Sequence, residues 1–302
     1  MKKKVLVAGG TGDLGGRIVN ALLENGAEVR VLVRLATDPA KIKLLEQAGV
    51  KVITTDFSSV DQLTEACIGV TCVVSALAGM RDVVVDVQKV LLDAAVKAGV
   101  PRFIPSDYSV DFTRFPAGRN RNLDWRREFH TYIDQAPIRA TSIYCGGFMD
   151  MLTGQMPMIF FKRKLIMFWG KADHPYGMTT VANVATFTAH VALDSSAPRA
   201  LWIAGDQPSP RYLQEVMGGL TGQKFHLIRA GGQGLLNTMI KIIRKVSPGE
   251  NELYPAWQGM QYLSFMIDDR SKLERTDNDR YPGIAWTTAK DVLAAHVAKL
   301  SL

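Results

Sequence analysis

The chain has 302 residues, 47% of them hydrophobic, which is enough for one large core or two smaller ones and excludes a disordered or disulfide-stapled miniature class. Its net charge of +7 and isoelectric point of about 9.3 come from scattered lysines and arginines with no long basic run, which suits a small anionic ligand better than a nucleic acid. Cys67, Cys72 and Cys145 are too few and too irregular for a disulfide framework or a zinc site, and read as reduced core thiols of a cytoplasmic protein.

Met1-Lys2-Lys3-Lys4 leads into an apolar run that glycine interrupts at Gly9, too early for a secretion signal. From there, short β-branched runs at Val5–Ala8, Glu28–Val33, Lys51–Thr54, Cys72–Ser75 and Arg102–Ile104 predict strands. Between them, apolar residues at helical spacing predict helices at Leu14–Glu24, Pro39–Ala48, Val60–Cys67 and Val83–Ala98. This alternation is that of an α/β fold with a doubly wound parallel sheet. A helix at Asn122–Asp134 and a strand at Arg139–Tyr144 extend it. After Gly146-Gly147 the rhythm breaks. Residues 148–169 are rich in Met and Phe, a composition more typical of ordinary core than of a pocket. Helix Val181–Leu193, a sheet strand at Ala200–Ala204 and helix Pro210–Leu220 follow; the tail from Gly231 to Asp269 is mixed, and helix Thr287–Leu300 closes the chain. The expected division is a doubly wound domain at 1–150, with 178–205 returning to it, and a smaller discontinuous domain from 151–177 and 206–302. The most apolar stretch, Met156–Trp169, is split by Lys162-Arg163-Lys164 and is too short to span a bilayer, so no membrane association is expected.

Gly9, Gly12 and Gly15 form a G-x-x-G-x-x-G loop between the first strand and the first helix. Glycines let the chain turn sharply and let a pyrophosphate approach the backbone, while free N–H groups of the following helix supply positive potential. The second strand ends in Arg34. An acidic residue there would bond the ribose of NAD, whereas an arginine suits the 2′-phosphate of NADP. Lys41, opening the next helix, can add a second charge, so NADP(H) is the expected cofactor.

The runs Gly9-Gly10-Thr11-Gly12-Asp13-Leu14-Gly15, Leu32-Val33-Arg34 with Asp38-Pro39-Ala40-Lys41, and Arg102-Phe103-Ile104-Pro105-Ser106-Asp107-Tyr108 resemble the NmrA-like and isoflavone-reductase-like branch of the atypical short-chain dehydrogenases. Pro137 to Phe148 and Asp279 to Ile284 resemble it too. The resemblance implies an NADP-binding Rossmann domain with a small C-terminal domain closing a substrate cleft. Carried over by position, it assigns Gly9, Thr11, Gly12, Asp13 and Leu14 to the pyrophosphate and Arg34 and Lys41 to the 2′-phosphate. Asp56 and Phe57 would flank the adenine, Ala76 and Leu77 would lie along the cofactor, and Gly146, Gly147 and Phe148 near the nicotinamide.

Short-chain dehydrogenases in general use a tyrosine followed four residues later by a lysine, whose charge lowers the phenol pKa. None of the eight tyrosines here has lysine at that spacing. Reductases of the resembled branch carry instead a lysine on the helix before the sixth strand; that place falls on Arg126. Arginine stays protonated, so it can orient or polarise a carbonyl without giving up a proton. His130, one helical turn on, carries an imidazole, a group suited to proton transfer near neutral pH, and Tyr108 follows the fifth strand at the edge where open α/β sheets bind ligands. Arg126, His130 and Tyr108 are therefore the candidate catalytic residues, each with a plain structural alternative. His174 beside Asp173 has no second histidine at ligand spacing, and no metal is assigned.

Two functional readings stay open. One is an NADPH-dependent reductase of a small aromatic, quinone-like or conjugated carbonyl compound, motivated by the complete dinucleotide fingerprint. The other is a non-catalytic NADP(H)-binding redox sensor acting through a protein partner, motivated by the missing Tyr/Lys dyad. No recognition helix or basic arm supports DNA binding.

Overall fold

The computed structural model describes residues 2–300, and the chain divides into two compact units. The first comprises Met1–Tyr108, Asn122–Ile143 and Val184–Leu201; the second comprises Ser109–Arg121, Tyr144–Asn183 and Trp202–Leu302.

The first unit is built on β1 (Lys4–Ala8), α1 (Asp13–Glu24), β2 (Glu28–Val33), α2 (Pro39–Gln47), β3 (Lys51–Thr54), α3 (Val60–Cys67), β4 (Cys72–Ser75), α4 (Gln88–Lys97), β5 (Arg102–Ile104), α5 (Arg121–Ile133) and β6 (Arg139–Ala140). All six strands are parallel and lie in the order β3-β2-β1-β4-β5-β6. The order reverses beside β1, between it and β4, and such a reversal opens a crevice at the carboxyl ends of the strands. β1 is apolar on both faces because both are covered: Val5, Leu6, Val7 and Ala8 are all buried. α1 buries Gly15, Ile18, Val19 and Leu22, the i, i+3, i+4, i+7 face its sequence predicts.

Two buried arginines extend this unit. Arg30 on β2 donates from Nη1 to Ala66 O and Ile68 O, satisfying carbonyls at the end of α3. Arg102 on β5 caps α6 (Val181–Leu193) by donating to Val191 O at 2.5 Å and to Asp194 O, and reaches Thr141 Oγ1 at 3.0 Å.

Three elements depart from the sequence expectation. The helix expected from Val83 opens with a wide π turn over Asp82–Val87 before α4. The strand expected over Arg139–Tyr144 is two. β6 pairs with β5, and after Thr141 the chain pairs instead as β7 (Ser142–Tyr144) with β12 (Ala200–Trp202). Ser142 N donates to Arg199 O where a continued β6 would face β5. The Ala200–Ala204 run thus pairs with β7 rather than with a strand of the six-stranded sheet.

The second unit contains β8 (Gly147–Phe148) paired with β11 (Met178–Thr179), and a small sheet in which β10 (Leu165–Trp169) lies between β9 (Ile159–Phe160) and β13 (His226–Gly231). α7 (Pro210–Thr221), α8 (Gln233–Val246), α9 (Ala256–Met266) and α10 (Ala289–Leu300) complete it. In the Met- and Phe-rich stretch, Met149, Leu152, Met158, Ile159, Ile166 and Phe168 are buried. All three cysteines are buried and outside any disulfide, and burial pushes the Cys67 thiol up to about 11 and that of Cys72 up to about 12. No helix among the described residues is long and apolar enough to cross a membrane.

Candidate cofactor cradle and active site

The glycine loop after β1 is packed against its neighbours so closely that side chains are excluded. Gly9 adopts φ +87°, and a Cβ on it would stand 2.6 Å from Ala76 O. On Gly15 a Cβ would stand 2.1 Å from Gly9 O, and on Gly10 one would strike the Val31 side chain at 2.7 Å. Gly12 has a different use. It is the N-cap of α1, is exposed, and offers no side chain to the first-turn N–H groups, which leaves them for a ligand. Asp13 starts the helix, but its carboxylate turns to Arg17 at 2.8 Å, so any hold it has on a phosphate comes from its backbone N–H. Thr11 and Leu14 lie in the same turn, each partly exposed.

Arg34 follows β2 directly and Lys41 lies in the first turn of α2; both are exposed, and neither has an ion pair among the described residues. Asp38 is occupied as the cap of α2, accepting from Ala40 N at 2.9 Å. After β3, Asp56 accepts from both the N–H and hydroxyl of Ser58, which hold its carboxyl below the ordinary value. Phe57 sits at φ +62° with its ring buried in the apolar cluster that includes Leu32 and Leu63. The exposed part of this turn is therefore Asp56 and backbone rather than the phenyl ring.

A continuous path runs from the glycine loop to the candidate catalytic residues. Ala76 O closes on Gly9, and Leu77 O accepts from Ser106 Oγ at 2.7 Å. Ser106 N donates to Gln88 Oε1 at 3.1 Å, and Ser106 O accepts Arg126 Nε at 2.8 Å. Arg126 Nη1 also bonds Asn122 O at 3.0 Å. Its guanidinium is thereby pinned at the carboxyl end of β5. Gln88 can serve Ser106 because its amide nitrogen holds Val84 O within the π turn, a feature that commonly marks functional sites.

His130 occupies a buried network. Its Nε2 meets Asp107 Oδ2 at 2.7 Å; the same oxygen accepts Ser142 Oγ at 2.6 Å, and Ser142 Oγ receives Arg199 Nη1 at 2.6 Å. Burial pushes the Asp107 carboxyl up, but His130, Ser142 and Arg126 outweigh it and keep it below the ordinary value. Tyr108, next in the chain, is also buried. Sequence reasoning missed Gln88, Ser106, Asp107, Ser142 and Arg199. Ser106 and Asp107 stood inside a quoted motif, whereas Gln88, Ser142 and Arg199 carry no local signal.

Gly146, Gly147 and Phe148 belong to the second unit. There Gly146 has φ +67°, and a Cβ on it would stand 1.9 Å from Gly177 O. Gly147 and Phe148 pair with Met178 and Thr179.

A family model described as "NmrA-like family" matches residues 1–251. The chain belongs to the NmrA-like family. Among its relatives, pinoresinol reductase 2 of Arabidopsis thaliana is 33% identical over 66% of this chain and 67% of its own. A bifunctional pinoresinol-lariciresinol reductase of Forsythia intermedia is 25% identical over 98% and 99%. Among solved structures, AtPrR2 with NADP+ and (+)pinoresinol superposes with a TM-score of 0.83 at 25% identity, covering 98% of this chain and 99% of that one. A leucoanthocyanidin reductase–NADPH complex from Vitis vinifera gives 0.79 at 17% over 98% and 99%, a likeness of fold alone. This NmrA-like chain thus shares its fold, end to end, with reductases.

Proposed function

We propose that the chain is an NADPH-dependent reductase of a small aromatic or conjugated compound. The observation that carries this reading is the cradle itself: glycines that tolerate no side chain, an uncapped helix start, and two uncommitted cations after β2. That donor set fits NADP(H). Gly9 to Leu14 hold its pyrophosphate, Arg34 and Lys41 its 2′-phosphate, Asp56 and the Phe57 backbone its adenine side, and Ala76 and Leu77 its inner edge. When bound, NADPH supplies a hydride equivalent.

Arg126 then acts by position and charge. With Nε and Nη1 committed to carbonyls, Nη2 remains to orient and polarise an acceptor oxygen, and it cannot serve as proton donor because guanidinium does not deprotonate in the working range. Tyr108 is the candidate for a hydroxyl contact. His130 works at one remove, holding Asp107 and hence the turn that carries Ser106 and Tyr108. Reduction of a conjugated or quinone-like acceptor relies more on such orientation than on strong acid help. The aromatic substrate class rests on AtPrR2, whose complex contains (+)pinoresinol. The relatives named above are reductases, and nothing in them supports a sensor acting through a protein partner.

The test follows nicotinamide absorbance with quinones, enals, aromatic ketones and pinoresinol, beside a binding titration of NADPH. Oxidation dependent on at least one compound is expected. Tight NADPH binding with no turnover across the panel would sink the reductase reading.

A further inference from the structure

The second unit carries a cleft of about 500 Å³ whose walls include none of the residues assigned above. Four cationic side chains line it, Arg119, Lys171, Arg229 and Arg270, with two carboxylates, Asp268 and Asp269. Both carboxylates are already committed. Asp268 takes Arg270 at 2.7 Å and Arg119 at 3.5 Å, the Arg270 bond foremost in holding its carboxyl down at about 2. Asp269 pairs with Lys272 at 2.5 Å. Lys171 and Arg229 have no ion pair among the described residues.

Arg229 is held in an electrostatically awkward place. Its Nε donates to Gly170 O at 2.9 Å, and its Nη2 lies 3.6 Å from where a Cβ on Gly232 would be. Gly232 is the N-cap of α8, which spans fourteen residues with no side-chain cap and no acid in its first turn. A guanidinium thus lies beside the positive end of a helix that has no acidic residue in its first turn, an arrangement in which one negative group can be shared favourably by both.

His174 lines the same cleft, with a side chain only 2% exposed. Its Nε2 meets Met266 O at 3.0 Å; a carbonyl can only accept, so Nε2 bears the proton. Burial foremost lowers the His174 pKa, keeping the ring neutral and its Nδ1 an acceptor. The nearest carboxylate oxygen to Nδ1, on Asp269, is 3.6 Å away and has no proton to give. This acceptor has no donor within hydrogen-bond reach among the described residues.

We propose that this cleft is a second ligand site, taking a small oxyanion that also carries a hydroxyl, with Lys171, Arg229 and the start of α8 binding the charge and His174 Nδ1 accepting the O–H. Hydroxycarboxylates and protonated phosphate share that chemistry. The proposal is independent of the reductase reading.

Malate, succinate and inorganic phosphate are titrated calorimetrically into the protein at constant ionic strength with saturating NADP+, so that phosphate does not report on Arg34 and Lys41. Saturable 1:1 binding of malate or phosphate is expected, the stronger of the two identifying the class, with succinate weaker than malate for want of the hydroxyl. Lys171→Gln with Arg229→Gln, both exposed positions that leave the core intact, weakens binding at least about tenfold. Gly232→Asp puts a carboxylate where the ligand's would be, so it raises Tm while abolishing binding. No saturable heat from malate or phosphate, binding that survives both variants, or succinate binding as tightly as malate would each overturn the assignment.

Discussion

Arg34→Ala tests the cofactor assignment most directly. Arg34 is exposed and has no ion pair to lose among the described residues, so its removal leaves the fold unchanged and any effect belongs to the ligand. Against a 2′-phosphate, a charge-assisted hydrogen bond contributes about 1.5–3 kcal/mol, and solvent exposure places the expected loss near the middle of that range, about 2 kcal/mol. At 1.4 kcal/mol per decade this is roughly a 30-fold rise in the Kd for NADPH. NADH lacks that phosphate, so its Kd moves by less than about twofold on the same ground. Lys41→Ala, a more mobile point charge, should cost about 1 kcal/mol, or roughly fivefold. The assay is fluorescence titration of both nucleotides against the parent and both variants, repeated at higher salt, where the NADPH preference should shrink. An NADPH-to-NADH affinity ratio that Arg34→Ala leaves untouched would refute the reasoning.

Gly15→Ala forces a methyl to within 2.1 Å of Gly9 O, so α1 must move off the loop. Overpacking of that kind costs about 1–3 kcal/mol, visible as a lower Tm, with NADPH binding falling at least about tenfold. Arg126→Ala should lower kcat for whichever acceptor the panel identifies while NADPH Kd stays within about twofold, because Arg126 is tied to Ser106 O and not to the glycine loop. Equal turnover by parent and variant would remove Arg126 from the site. Asp107 gives a pH prediction. Its folded carboxyl titrates below the ordinary 3.8, so it adds stability that is complete above that value and is lost as pH falls through and below it. Asp107→Asn should therefore flatten the fall of Tm with acid below pH about 4 and cost about 3 kcal/mol at neutral pH by replacing the buried carboxylate that His130 and Ser142 share with a neutral amide. An unchanged acid slope would show that the network contributes no such linkage.

Local pattern was sufficient for the first half of the molecule. The alternation of Val5–Ala8 with the Ile18, Val19, Leu22 face of α1, and the position of Arg34 at the end of β2, are relations among residues a few places apart. A strand buried on both faces and a helix buried on one must write that burial into their own sequence. The glycine loop was readable from its spacing between a strand and a helix, although the atoms that exclude side chains at Gly9 and Gly10 belong to Ala76 and Val31, far along the chain. Tertiary structure decided what the catalytic candidates do. His130 reads as a helix histidine until Asp107, 23 residues earlier, and Ser142 close around it. Arg126 reads as a free guanidinium until Ser106 O and Asn122 O claim two of its nitrogens. Strand 139–144 reads as continuous until Arg199 O draws Ser142 away from β5. Each is a choice of hydrogen-bond partner made across tens of residues, and a polar side chain carries no periodicity that says which distant group will satisfy it.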